Sequence, residues 1–229
     1  MADLYASYTD LAAREVEGVD YLRRRVPVAG SAWASIAIHG GGIEPGSGEV
    51  ARAVGAGLMT HYEFTAIRST GNSDLHVTST NFDEPVCQGV IASSLGCLSF
   101  HGFTGTTGVP ETALGGLDTA TADRVRTALR QAGFHVTDAA RKINGSSPAN
   151  IANRTTIGAG VQLELSTSLR ASFFPDGDLT RAMRDTGRRT ATFDRYVAAV
   201  RSVFEDRALV SQDSPGSRGL PASISSATL

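Results

Sequence analysis

Lysine is almost absent from this chain: Lys142 is the only one, and arginine supplies the rest of the 21 basic residues. Against 23 acidic residues the formal net charge is −2, so no whole-molecule attraction to nucleic acid or to an anionic membrane is expected. Two cysteines in 229 residues, Cys87 and Cys97, are no disulfide framework. Cys97 lies inside an apolar run and reads as a small buried residue. No stretch approaches the ~20 apolar residues that cross a bilayer. The start, Met1-Ala2-Asp3-Leu4-Tyr5, has no basic region followed by an apolar one, so no secretory signal is read. Synthesis in the cytoplasm is expected, with any exit by another route such as lysis. The chain also lacks a P-loop, a Gly-x-Gly-x-x-Gly after a strand, and a Cys-x-x-Cys metal knuckle.

What is present suits one sizeable α/β domain over residues 1–210, since 41% of the chain is hydrophobic. Ser, Gly, Pro and Ala dominate 211–229, and a flexible tail is expected there. The spacing predicts helices over 7–18 (capped by Ser7 or Thr9), 49–58 and 121–131, and a helix start near 149. Long helical periodicity over 178–210 is interrupted near Gly187. Strand-like runs cover 33–39, 61–67, 75–80, 95–100, 134–136 and 161–166, and a basic stretch begins at Arg24. Alternating strands and helices predict a single three-layer α/β/α sandwich with a mixed, mostly parallel sheet. No heptad calls for a dimer, and a monomer is expected.

Two of the strand-like runs end alike, Ile36-Ala37-Ile38-His39-Gly40 and Leu98-Ser99-Phe100-His101-Gly102. Strand ends are where open α/β sheets place ligands. The first run continues through Gly41, Gly42 and Ile43 to Glu44, and a tight glycine loop can bring that carboxylate back to His39. Two histidines and a carboxylate form a donor set suited to catalytic zinc. Each histidine taken singly reads more readily as an unrelated residue, one hydrogen-bonded in the core and one solvated; their shared context favours ligands.

In Val161-Gln162-Leu163-Glu164-Leu165-Ser166, Val161, Leu163 and Leu165 share one face, and Gln162 and Glu164 the other. A lone buried carboxylate is costly. Glu164 therefore lies on an exposed edge strand or faces a site, where it would be a general base. Asn153, Arg154 and Arg170 flank this strand and offer planar donors for a carboxylate. His76 lies in a polar segment and reads as a site residue or the partner of one; His61 and His135 read as structural.

At these positions the chain resembles the poly-γ-glutamate hydrolase family, known from bacteriophages and some bacilli. The matching pieces are Tyr5-Ala6-Ser7-Tyr8-Thr9-Asp10-Leu11, Glu15 to Tyr21, and Ala37-Ile38-His39-Gly40-Gly41-Gly42-Ile43-Glu44-Pro45-Gly46. They continue through Leu75 to Pro85, Ser99-Phe100-His101-Gly102, Asn150-Ile151-Ala152-Asn153-Arg154, and Gly160 to Ser166. The resemblance runs in order over residues 5–205. It implies a zinc-dependent amidase of carboxypeptidase-like fold that cuts γ-glutamyl amide bonds in poly-γ-glutamate. Carried over by position, His39, Glu44 and His101 would hold Zn2+ and Glu164 would be the general base, with His76, Asn81, Arg154 and Arg170 contacting substrate. Two departures stand out: many members have a His where this chain has Asn81, and in carboxypeptidases the Asn-Arg pair precedes the last metal-binding His, whereas Asn153-Arg154 follows His101. Two rival readings differ from this one. The same metal centre could act on peptidoglycan stems or small γ-glutamyl peptides, or the chain could be a non-catalytic, polyanion-binding phage protein. If phage-encoded, the protein would be released by host lysis.

Overall fold

The runs that carry the two histidines are apolar at successive positions, not alternate ones, so each strand needs cover on both faces. In the structure, a computed structural model that describes residues 3–210, both faces are covered. The tail expected over 211–229 lies outside the described residues. Seven strands, β1 Tyr21–Val26, β2 Trp33–Gly41, β3 Thr60–Ala66, β4 Gly96–Phe103, β5 Glu111–Gly116, β6 His135–Asp138 and β7 Val161–Ser166, form one sheet in the order β1-β3-β2-β4-β7-β5-β6. Four of its pairings are parallel; β1 with β3 and β5 with β7 are antiparallel.

The helices are α1 Tyr8–Ala12, α2 Ser47–Gly55, α3 Pro85–Ala92, α4 Thr119–Gln131, α5 Thr167–Ser172, α6 Arg181–Asp185 and α7 Ala191–Val210. Val50 and Val54 of α2, Val125 and Leu129 of α4, and Tyr196 and Val200 of α7 pack on one face of the sheet with Ala37, Phe100, Leu163 and Leu165. Tyr8 and Leu11 of α1 and Val90 and Ile91 of α3 pack on the other face with Ile36, Ile38, Phe64 and Cys97. This is the expected three-layer α/β/α sandwich. No described helix is long and apolar enough to cross a membrane.

The connections decide where a site can form. From β2 the chain passes through α2 to β3 on one side, then through α3 to β4 on the other side of β2. Because α2 and α3 cover opposite faces, a crevice opens beyond the carboxyl ends of β2 and β4 at this topological switch.

Three local expectations differ from the structure. The first helix stops at Ala12, capped by Ser7, because the chain turns back to form β1. The stretch 75–80 is a loop after a 3-10 turn Asn72–Leu75, and two of its carbonyls serve the neighbouring segments: Val77 O meets His39 and Ser79 O accepts from Ile151. The basic stretch at Arg24 belongs to β1, an edge strand exposed at all but its first residue.

Candidate metal centre

Along β4, Leu98 and Phe100 face the α2 side, so Ser99 and His101 face the α3 side. The same alternation along β7 sends Glu164, the register partner of His101, to that face. Regular alternation along β2 would aim His39 the other way, with Ala37. A bulge corrects this: Ala37 pairs with Glu63 but Gly40 pairs with Thr65, so three steps of β2 match two of β3. The extra residue turns His39 toward His101.

Glycine is required around this bulge. A Cβ on Gly40 would lie 2.8 Å from Phe64 O. Gly41 has φ +69°, and a Cβ there would lie 2.2 Å from Ala66 O. The loop then returns Glu44, whose backbone N donates to His39 O at 3.0 Å and whose Oε2 accepts from Gly102 N at 2.8 Å.

Three donor groups converge as a result. His39 Nδ1 lies 3.0 Å from His101 Nδ1 and 3.1 Å from Glu44 Oε1; His101 Nδ1 lies 3.7 Å from Glu44 Oε2. Each histidine's outer nitrogen is occupied: His39 Nε2 meets Val77 O at 2.9 Å, and His101 Nε2 meets Ser99 Oγ at 2.8 Å. A proton on each Nε2 leaves Nδ1 as the inward nitrogen, the tautomer a metal needs.

Burial and mutual charge set the protonation of the metal-free group. Burial drives His101 down to about 3. Burial also works against charging His39, but the Glu44 carboxylate outweighs it and raises that pKa. Glu44 is pushed up by burial yet pulled further down, to about 2, by the charge and hydrogen bond of His39. Glu44 is thus an anion whose charge favours a proton on His39, with a neutral His101 facing them. A divalent cation could displace the proton on His39 Nδ1 and take all three donors.

Glu164 is 4% exposed on the central strand β7, so the edge-strand alternative for it falls away. Burial, with the negative charge of Glu44 added, raises its pKa to about 8. Its Oε1 accepts from Gln162 Nε2 at 2.8 Å.

A cleft of about 340 Å³ opens beside the cluster, lined by Glu44, Gly102, His76, Asp3, Ser73 and Arg170 among others. The buried Arg170 guanidinium donates to the carbonyls of Leu165, Pro45 and Phe103 and to Thr167 Oγ1; among the described residues no carboxylate pairs with it. The His76 ring lies over that of His39, with centroids 4.0 Å apart, and its Nδ1 is 2.7 Å from Asp3 Oδ1.

The structure does not bring the other two expected substrate contacts into this cleft lining. Asn81 is exposed, and Arg154 donates to the carbonyls of Ala149 and Thr80, bracing the loop that carries Val77. Asn153 ties down its own surroundings through Gly145 O, Ser147 O and Gly160 N. His61 bridges Ser35 O and Glu63, and His135 is exposed. Cys87 and Cys97 are buried free thiols. Sequence reasoning missed Ser99, the Val77 carbonyl and Asp3. Ser99 stands two residues before His101 on the same face of its strand, a signal that was available; nothing local marked Asp3.

Comparison with known proteins gives this geometry its context. The SPbeta prophage-derived UPF0714 protein YoqZ of Bacillus subtilis (strain 168) is 35% identical over 167 residues, 72% of this chain. That match spans 59% of YoqZ, less than two thirds of its length. A solved bacteriophage poly-gamma-glutamate hydrolase superposes with a TM-score of 0.85 at 31% identity, covering 91% of this chain and 100% of that one. YndL in its zinc-free apo form superposes with a TM-score of 0.81 at 32% identity, covering 90% and 99%. A family model for poly-gamma-glutamate hydrolase matches residues 5–199, and so the chain belongs to the poly-gamma-glutamate hydrolase family.

Proposed function

We propose that the protein is a zinc-dependent amidase that hydrolyses γ-glutamyl amide bonds of poly-γ-glutamate. The observation that carries this reading is the convergence of His39, Glu44 and His101 beside a buried carboxylate, Glu164. Donors about 2.0–2.1 Å from a tetrahedral zinc stand roughly 3.3–3.4 Å from one another. His39 Nδ1 stands 3.0 Å from His101 Nδ1 and 3.1 Å from Glu44 Oε1, a little inside that spacing, and the other carboxylate oxygen, Oε2, stands 3.7 Å from His101 Nδ1. Two imidazoles and one carboxylate are also the ligand types of catalytic zinc sites that keep an open position.

Bound zinc would supply Lewis acidity, polarising a carbonyl and acidifying water. The remaining chemistry belongs to this chain. Glu164, once ionised, takes the proton of the attacking water as the C–O bond forms, and it returns that proton to the amide nitrogen as the C–N bond breaks. Its environment holds the proton between the two events, because burial favours the neutral acid. Arg170, a buried cation with no carboxylate of its own in the described chain, receives the α-carboxylate of a glutamyl unit. His76 also lines the cleft, held by Asp3.

Purified protein is incubated with poly-γ-glutamate, with and without a chelator, and polymer length is read on a gel. Chelator-sensitive shortening that added zinc restores is expected. Zinc bound without shortening of the polymer, but with cleavage of short γ-glutamyl peptides, would move the substrate to peptidoglycan stems or small peptides. Absence of bound zinc would end the mechanism, and tight polymer binding by metal-free protein without cleavage would favour a binding module.

A further inference from the structure

Gln162 is a buried polar residue to which the proposed chemistry gives no task. It stands two residues before Glu164 on the same face of β7 and is 5% exposed. Its Nε2 donates to Ile143 O at 2.8 Å and to Glu164 Oε1 at 2.8 Å, while its Oε1 accepts from Asn150 Nδ2 at 2.8 Å. The orientation of this amide is forced. The Ile143 carbonyl can only accept and Asn150 Nδ2 can only donate, so the nitrogen must lie on the Glu164 side.

Asn150 is fixed in the same manner. Its Oδ1 caps the turn Ile151–Asn153 by accepting from Ala152 N at 2.9 Å, which leaves Nδ2 for Gln162. Gly145 closes over the pair: a Cβ there would lie 2.4 Å from Gln162 Oε1, at a backbone φ of +60°. A line of constraint therefore runs from two backbone groups through two side-chain amides to one oxygen of Glu164.

We propose that Gln162 is a positioning residue for Glu164, held as a donor by Ile143 and Asn150 so that Oε1 is pinned and the second carboxylate oxygen serves the attacking water. This rests on the reading of Glu164 as the general base. A carboxylate without that anchor turns about its last torsion, and a misplacement of ~1 Å costs on the order of 10²-fold in rate. Asn150 enters as the group that holds the oxygen end of the Gln162 amide and so keeps its nitrogen firmly on the base.

Zinc-loaded full-length variants Gln162→Leu, Asn150→Asp, the double variant and Glu164→Gln are compared with wild type, on whichever γ-glutamyl substrate the wild-type protein cleaves. Asp at 150 keeps the acceptor that caps Ala152 N but offers Gln162 no N–H. The Gln162 nitrogen stays on the side of Ile143 O and Glu164, which both accept, but its oxygen now faces an acceptor and the amide loses its anchor at that end. Gln162→Leu and Asn150→Asp are each expected to lower kcat by about 10- to 100-fold with KM within twofold and zinc content unchanged. The double variant is expected to be no worse than Gln162→Leu, because Asn150 acts through Gln162. Glu164→Gln is expected to be inactive with zinc retained. An inactive Glu164→Gln alongside single variants within twofold of wild-type kcat, or alongside additive losses in the double variant, overturns the positioning role and leaves the base in place. Should Gln162→Leu fail to fold, Asn150→Asp decides alone, and loss of zinc or of fold there counts against positioning. An active Glu164→Gln removes the base and this inference with it.

Discussion

His101 shows how a residue's role is fixed by what lies behind it. Its ring is 2% exposed, and when its outer nitrogen carries the proton, Ser99 Oγ at 2.8 Å accepts it and leaves the inward nitrogen available. His39 has the same arrangement with the Val77 carbonyl, an acceptor that no substitution at 77 removes. Ser99 is therefore the one of the two supports open to mutation. Ser99→Ala deletes the acceptor, leaves a buried ring nitrogen unpaired and lets the imidazole choose either tautomer. Loss of such a support commonly weakens metal binding about 10- to 100-fold. Zinc affinity measured by competition with a chromophoric chelator should fall by about that factor in Ser99→Ala, while far-UV circular dichroism stays that of the wild type. Unchanged affinity would mean that the sheet alone orients His101.

Among the elements, β2 does most to assemble the site, through its bulge. Gly40 and Gly41 cannot be replaced without moving β3: in Gly41→Ala the new Cβ meets Ala66 O at 2.2 Å and the residue must hold φ +69°. Gly41→Ala should lower stability by ~1–3 kcal/mol, the usual range for overpacking, and reduce zinc occupancy in the same protein. Thermal melts with metal analysis on the same samples check both; a stable variant with full zinc would show that β2 does not depend on the bulge. β7 was readable from its own residues, because Val161, Leu163 and Leu165 alternate with Gln162 and Glu164 and every one of these side chains is buried. The convergence of His39, Glu44 and His101 was readable as well, since two strand ends and a glycine loop carry it. The bulge was not, because Ala-Ile-His-Gly fits a regular strand equally well. The loop 75–80 read as a strand for a physical reason: Leu75 and Val77 alternate because both are buried, not because they pair in the sheet. β1 gave no alternation to read, since both of its faces are exposed beyond Tyr21, and its run of Arg23, Arg24 and Arg25 suits an edge that must resist pairing with another chain. Helix α3 did carry signals, Pro85 at its start and Glu84 capping the backbone N–H groups of Val86 and Cys87.

For the molecule as a whole, the site places opposing charges inside the fold, and each group's contribution to stability has a sign. Glu63, buried on β3 beside β2, is pushed up by burial but held at about 2 by hydrogen bonds and charge from His61 and Arg52. Glu44 is likewise at about 2, and His101 is lowered to about 3 by burial. In the unfolded chain these carboxyls take up protons near 4.5 and the imidazole near 6.5, so below those values the unfolded state binds more protons. The stabilisation from the two carboxylates is present at neutral pH and is lost on acidification, and His101 adds a penalty that grows as pH falls below 6.5. Glu164 acts in the opposite sense. Its carboxyl is raised from 4.5 to about 8, so between those values the folded state holds a proton that the unfolded state has released. Stability falls as pH rises through that window, and the full penalty applies above about 8. His39, also raised, adds to the same alkaline fall. The metal-free protein should therefore melt highest on the acid side of neutrality and lose thermal stability between about pH 6 and pH 8.5. In Glu164→Gln the side chain no longer titrates, and that fall should be shallower, with only the part due to His39 remaining. Melting curves of metal-stripped wild type and Glu164→Gln across this range decide the matter. Parallel curves would mean that Glu164 is ionised in the fold throughout, and the proton it is proposed to hold between water and amine would have no place to rest.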